Sequence, residues 1–184
     1  MLDAVLVRPT AAQVAATLPG DELVARPDVV MDRAFDLPGP PEAAWPWFNQ
    51  LGKGRSGWYL PRWWEAVLPR RRRALRHLDP ALQDLEVGDV IADWGGRDAT
   101  FEIWRHEPPH VLVHRSTRGT IGVSWAIVLG AVPGGTRVHL RLRLEGVRRR
   151  RLVELAGGLF DLATISGLAA GMRERLAGPG ASGA

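Results

Sequence analysis

The sequence predicts an α+β domain, an antiparallel meander of strands closed off by one long C-terminal helix. Strand-like segments at residues 89–94, 100–106, 111–117, 124–132 and 136–145 follow one another with turn residues between them, and connections this short demand antiparallel neighbours. Residues 152–176 place Leu152, Leu155, Leu159, Leu162, Ile165, Leu168 and Met172 at helical spacing ahead of Gly178-Pro179. Apolar residues make up 46% of the 184 residues against 24% charged, a balance that supplies one core and excludes wholesale disorder.

Residues 1–27 read as an arm of poor periodicity, with a short helix allowed at 11–18 and stopped by Pro19-Gly20. The domain proper is expected at 28–178, and residues 179–184 as a flexible tail. Val29, Met31, Arg33, Phe35 and Leu37 alternate with Asp32, Ala34 and Asp36, the period of a strand. Pro38-Gly39-Pro40-Pro41 ends it and opens a helix with Ala44, Phe48 and Leu51 on one face, which Pro46 should kink or shorten. Residues 57–68 predict a short aromatic helix whose Trp58, Trp63 and Trp64 need cover, and Asp79-Pro80 starts a capped helical turn. In the last strand Val138, Leu140, Leu142 and Leu144 should face the long helix, while Arg137, His139, Arg141 and Arg143 face solvent. Gly157, Gly158, Gly167 and Gly171 each cost about 1 kcal/mol inside a helix, so a close approach to the sheet or a kink is expected there.

Cysteine is absent, which excludes disulfides, zinc–thiolate sites and a cysteine nucleophile and is compatible with a cytoplasmic location. The N-terminal residues lack the pattern of a secretory leader, and nowhere do about 18 apolar residues run without a charge, so no membrane span is expected. The arginine runs at residues 70–73 and 148–151 read as solvated faces, with an anionic partner as the alternative.

Several phrases carry a family likeness: Pro41-Glu42-Ala43-Ala44-Trp45-Pro46-Trp47, Gly57-Trp58-Tyr59, Leu85-Glu86-Val87-Gly88-Asp89-Val90, Phe101-Glu102-Ile103 and Ser124-Trp125. With the element order, they make residues 17–176 resemble the SRPBCC (START-like) superfamily, in particular its bacterial polyketide cyclase/dehydrase-like group. The resemblance implies a helix-grip fold, in which a curved antiparallel sheet wraps the long helix and two or three short helices help enclose a cavity for an apolar ligand. It implies no universal catalytic set, so the chemistry rests on these residues.

Gly52-Lys53-Gly54-Arg55-Ser56-Gly57 spells a dinucleotide fingerprint, but it follows a helix instead of a strand and lacks the parallel sheet that motif serves. It reads as a loop over the cavity mouth, where Lys53 and Arg55 are placed to attract an anionic group. His106, His110 and His114 are spaced by four, yet Pro108-Pro109 forbids a helix through them, so no metal site and no cofactor is expected. The candidates for acid–base work are Tyr59, Asp93 and His114; against these roles stand core packing for Tyr59, a turn pair with Arg97 for Asp93, and a satisfied structural histidine for His114. Trp58, Tyr59, Trp63, Phe101, Trp125, Leu140, Leu142 and Phe160 are expected to line the cavity. Two readings follow: a binding module for a lipid- or polyketide-like molecule, or a cyclase, aromatase or dehydratase using the same cavity. A nucleic-acid or membrane-surface module ranks last, because the arginines are not interleaved with aromatic residues.

Overall fold

The period-two alternation of residues 29–38 has a structural consequence that orders the whole molecule. In the computed structural model, which describes residues 7–178, this segment is strand β1 (Val29–Pro38), and it pairs along its full length with the last strand rather than with its sequence neighbours. Residues 1–6 of the expected arm and the expected tail at 179–184 lie outside the described residues. The remaining strands are β2 (Val90–Ala92), β3 (Thr100–Glu107), β4 (Val111–Arg118), β5 (Ile121–Val132) and β6 (Gly135–Glu145), and the sheet order is β1-β6-β5-β4-β3-β2, antiparallel throughout. The meander is therefore as expected, with β1 added beside β6. This six-stranded curved sheet and the long C-terminal helix form an α+β helix-grip fold.

Helix α1 (Ala11–Ala15) starts at a capping box in which Thr10 and Gln13 each bond the other's backbone N–H. Helix α2 (Pro41–Gln50) begins with Pro41 and continues through Pro46, so the expected shortening does not occur; Ala44, Trp45, Trp47 and Phe48 are buried, with Trp45 beside His106 of β3 and Trp47 edge-on to Tyr59. Helix α3 (Arg62–Val67) is only six residues long, and Glu65 takes its buried position, so Trp63 and Trp64 turn outward instead of being covered. Asp79 caps the turn at Pro80–Leu82 by accepting a bond from the Ala81 N–H.

Helix α4 (Arg150–Leu176) contains a π-helical segment at Val153–Gly157 between its first turn and the regular helix Gly158–Leu176. Its second half supplies Ile165, Leu168, Ala169 and Met172 to the core, which also holds Phe35, Phe48, Tyr59, Ile103, Leu112, Ile127, Val138 and Leu140. Gly157 faces the sheet, where a Cβ would lie 3.0 Å from Met31 Cε, and Gly171 permits a close approach to a loop, where a Cβ would lie 2.7 Å from the Leu60 nitrogen and the Tyr59 carbonyl carbon. By length and composition α4 is apolar enough to cross a membrane, although its second half is committed to this core.

The alternation on β6 has the expected register: Val138 and Leu140 are buried beneath the helices. The other face is not wet, however. Residues 7–25 cross it, so His139 and Arg141 are buried, at 5% and 3% exposure. Arg141 donates to the carbonyls of Gln13, Val14 and Ala16 and to the carboxylates of Asp21 and Asp32, while His139 Nε2 lies 2.6 Å from Asp32. Burial alone would raise the Asp32 carboxyl, but the bonds from His139 and Arg141 more than offset this and hold it below its ordinary value. Leu23 adds an apolar contact to Val111, Val113 and Ala126 on the same face. An arginine-bearing strand face is thus an anchor for the arm, not a solvated surface.

Candidate functional site

Where the first half of α4 passes along β1, beside the β4–β5 turn and the C-terminal end of β6, it leaves an open pocket of about 470 Å³. The sheet side of the pocket is Met31 from β1, Val123 and Trp125 from β5, and Leu142 and Leu144 from β6. One end is aromatic, with Trp58 from the loop before α3, Trp94 from the β2–β3 turn and Phe101 from β3. Trp125 stacks toward Trp58 with ring centroids 6.3 Å apart and sits 6.0 Å from Phe101, while Trp94 meets Trp58 edge-on at 5.3 Å. Val153, Gly157, Phe160, Asp161, Thr164 and Ile165 of α4 complete the wall. The Trp58 indole N–H donates to the Thr164 carbonyl, so the aromatic end is tied to the helix.

Of the residues expected to line a cavity, Trp58, Phe101, Trp125, Leu142 and Phe160 are at this pocket. Leu140 points to the same side as Leu142 but lies two residues nearer the closed end, where the second half of α4 fills the space, so it packs in the core. Trp63 is on the outer side of α3 against Trp64. Tyr59 is fully buried: its hydroxyl donates to the Trp47 carbonyl, accepts from the Gln50 amide and contacts Ser56 Oγ at 2.7 Å, and burial pushes its ionisation up. A hydroxyl so fully engaged in the core has no access to the pocket.

Asp93 does border the pocket, paired with Arg118 at the end of β4 instead of with Arg97. The Arg118 guanidinium also lies over the Phe101 ring, 5.3 Å from its centroid. A second ion pair, Arg33 with Asp161 at 2.9 Å, joins β1 to α4 beside the pocket, and Arg33 also donates to the Gly158 carbonyl. Burial raises the Asp161 carboxyl above its ordinary value, with the Arg33 charge opposing. Sequence reasoning missed Arg118, which carries no local signal beside the β4–β5 turn. Arg33 did leave one: it is a charge in the inward series Val29, Met31, Phe35, Leu37, and Asp161 is the one acid between Leu155 and Met172.

Lys53 and Arg55 are held by backbone oxygens. Lys53 Nζ donates to the carbonyls of Asp93 and Gly96, and Arg55 donates to those of Asn49 and Leu82. The glycine loop thus braces the β2–β3 turn. Among the described residues no cluster of three or more histidine or acidic side chains is arranged to hold a metal ion.

His114 sits behind the aromatic wall, stacked on Trp125 at 4.9 Å and edge-on to Phe101 at 5.4 Å, with Nδ1 3.3 Å from the Trp125 carbonyl. Burial lowers its pKa to about 4, opposed by the Trp125 carbonyl. Because the folded state disfavours the imidazolium, the unfolded chain takes up a proton first as pH falls below about 6.5, and stability drops until pH nears 4. The expected loss from this residue is about 2 kcal/mol between pH 7 and pH 5. Urea unfolding at the two pH values should show that His114→Leu removes this part of the pH dependence; an unchanged slope would place the titration elsewhere.

No family model matches the chain, and no curated protein is similar to it in sequence. Solved structures do match in fold. A Rhodobacter sphaeroides protein is 18% identical with a TM-score of 0.52, the match covering 83% of this chain and 94% of that one. The protein MLL2253 from Mesorhizobium loti is 16% identical at a TM-score of 0.50, covering 80% and 98%. An Arthrobacter aurescens protein is 11% identical at 0.50, covering 91% and 94%. At these identities the likeness is one of fold, and it agrees with the helix-grip architecture that the SRPBCC resemblance implied.

Proposed function

We propose that the chain binds an apolar small molecule, lipid- or polyketide-like, in the pocket between the sheet and the first half of α4. The observation that carries this reading is the aromatic wall of Trp58, Trp94, Phe101 and Trp125 around a space of about 470 Å³. That is within the usual range for small-molecule sites, which are mostly apolar with a few placed polar groups. Asp93–Arg118 and Arg33–Asp161 supply charged groups here, and each is internally neutralised. The enzymatic alternative, a cyclase, aromatase or dehydratase, would draw on Asp161, a pocket carboxyl that burial raises above its ordinary value while the Arg33 charge opposes. The binding reading is preferred because Tyr59 is engaged in the core, His114 is buried against Trp125 and Phe101, and Asp93 is paired, so two free titratable groups do not converge.

The neutral fluorophore N-phenyl-1-naphthylamine tests this. It should bind with micromolar affinity and little dependence on salt, and Trp125→Ala should weaken it by about tenfold or more, since an indole face contributes roughly 1.5–3 kcal/mol of burial. Replacing Arg71 and Arg72 together should leave the affinity unchanged. Equal affinity of Trp125→Ala and the parent protein, with circular dichroism intact, would defeat the reading.

A further inference from the structure

The first half of α4 is apolar on its outer side as well as toward the pocket. Leu155, Leu159 and Phe160 are 70%, 63% and 73% exposed, and Leu152 and Leu162 are exposed beside them. Scattered apolar side chains on a surface need no explanation, but a run of them on one helix marks a contact. Helix α3, which lies beside the second half of α4 at Gly167 and Glu174, also exposes Trp63 and Val67. Each helix adjoins a basic run: Arg148, Arg149 and Arg151 at the start of α4, and Arg70, Arg71 and Arg72 after α3, all exposed. The carboxylates of both helices are already engaged, Glu65 with Arg175, Glu154 with Arg150, Asp161 with Arg33 and Glu174 with Arg76. The apolar surface is therefore flanked by positive charge that these helices do not neutralise.

We propose that this face docks on an anionic lipid surface, with Leu155, Leu159 and Phe160 entering the acyl boundary and the arginines meeting the phosphates. Such a surface offers apolar depth and negative charge together, the two properties the face presents. A second copy of the chain fits less well, because it would bring further arginines and no unpaired carboxylate from α3 or α4. Phe160 borders both the face and the pocket, so docking would bring the pocket mouth to the bilayer. The docking itself does not depend on the pocket having a ligand.

Flotation of the full chain with vesicles separates the outcomes. Binding to mixed phosphatidylglycerol–phosphatidylcholine vesicles should be at least about tenfold tighter than to phosphatidylcholine alone, and should weaken as salt rises. Leu155→Asp with Leu159→Asp should abolish it, and changing Arg148, Arg149 and Arg151 to Gln should cut it about tenfold or more. These positions are exposed, so thermal unfolding and N-phenyl-1-naphthylamine binding should stay as in the parent; the probe reports the pocket independently of the vesicles. Failure to float, or equal binding to both vesicle types, overturns the proposal. So does a dimer, detected by light scattering, that Leu155→Asp dissociates, because the face would then belong to a second copy.

Discussion

Replacing Arg141 by Met is expected to lower the stability of the chain by about 3–5 kcal/mol, the usual cost of breaking a buried ion pair from one side. The substitution keeps the unbranched stem but removes every donor. Asp32 would keep only His139, and Asp21 the 3.2 Å contact from Arg143 and the bond from the Leu18 N–H. Three carbonyls at and just after the end of α1, those of Gln13, Val14 and Ala16, would lose the guanidinium that satisfies them. The loss should be local as well as global, so amide exchange at residues 10–25 should accelerate beyond what the global destabilisation explains. Urea unfolding that shifts by less than about 1 kcal/mol would mean that the arm is held by its apolar contacts alone.

A comparable effect is expected for Glu65→Gln. The Arg175 side chain is fully buried, and its charge is balanced by Glu65 at 2.7 Å; Arg76 meets the other Glu65 oxygen at the same distance. The guanidinium also donates to the carbonyls of Leu60, Gly171 and Leu75 and lies 4.5 Å from the Tyr59 ring centroid. Neutralising Glu65 leaves a buried cation with neutral partners only, at a cost of about 3–5 kcal/mol. Glu65→Gln combined with Arg175→Met should recover part of that loss, although the Leu60 and Leu75 carbonyls then lack their donor. A double-mutant cycle in urea measures the coupling, and additive single effects would show that the two residues act independently.

How much of this was legible in the sequence depends on the range over which each feature is determined. Strand and helix periodicity is local, so the five meander strands and the long helix could be read, and the Asp79 cap with them. The pairing of β1 with β6 spans over a hundred residues, so no local pattern specifies it and it was not read. The outer face of β6 was misread for the same reason. Arg137, His139, Arg141 and Arg143 look like a wet face when only the strand is considered, and the arm that covers it is irregular and gives no periodic signal. The pocket was partly legible because aromatic residues at inward strand positions, such as Phe101 and Trp125, have few alternatives. Trp63 was misplaced because a single inward residue, Glu65, sets the rotation of α3, and a buried glutamate is not what an aromatic helix leads one to expect; Tyr59 lies before that helix, and its hydroxyl partners Trp47, Gln50 and Ser56 give no periodic signal.

The anchoring of the arm also bears on the order in which the molecule assembles. Arg141 reaches Gln13 and Val14 across separations of 128 and 127 residues, and the surface it presents to them exists only once β1, β6 and β5 have paired. Closing so long a loop adds little entropy cost beyond a moderately long one, but the contact has nothing to form against until the sheet is in place. The arm is therefore expected to dock late. Its contacts act as a clasp whose strength sets how quickly the finished structure comes apart, while the rate at which the sheet first forms is decided by the strands.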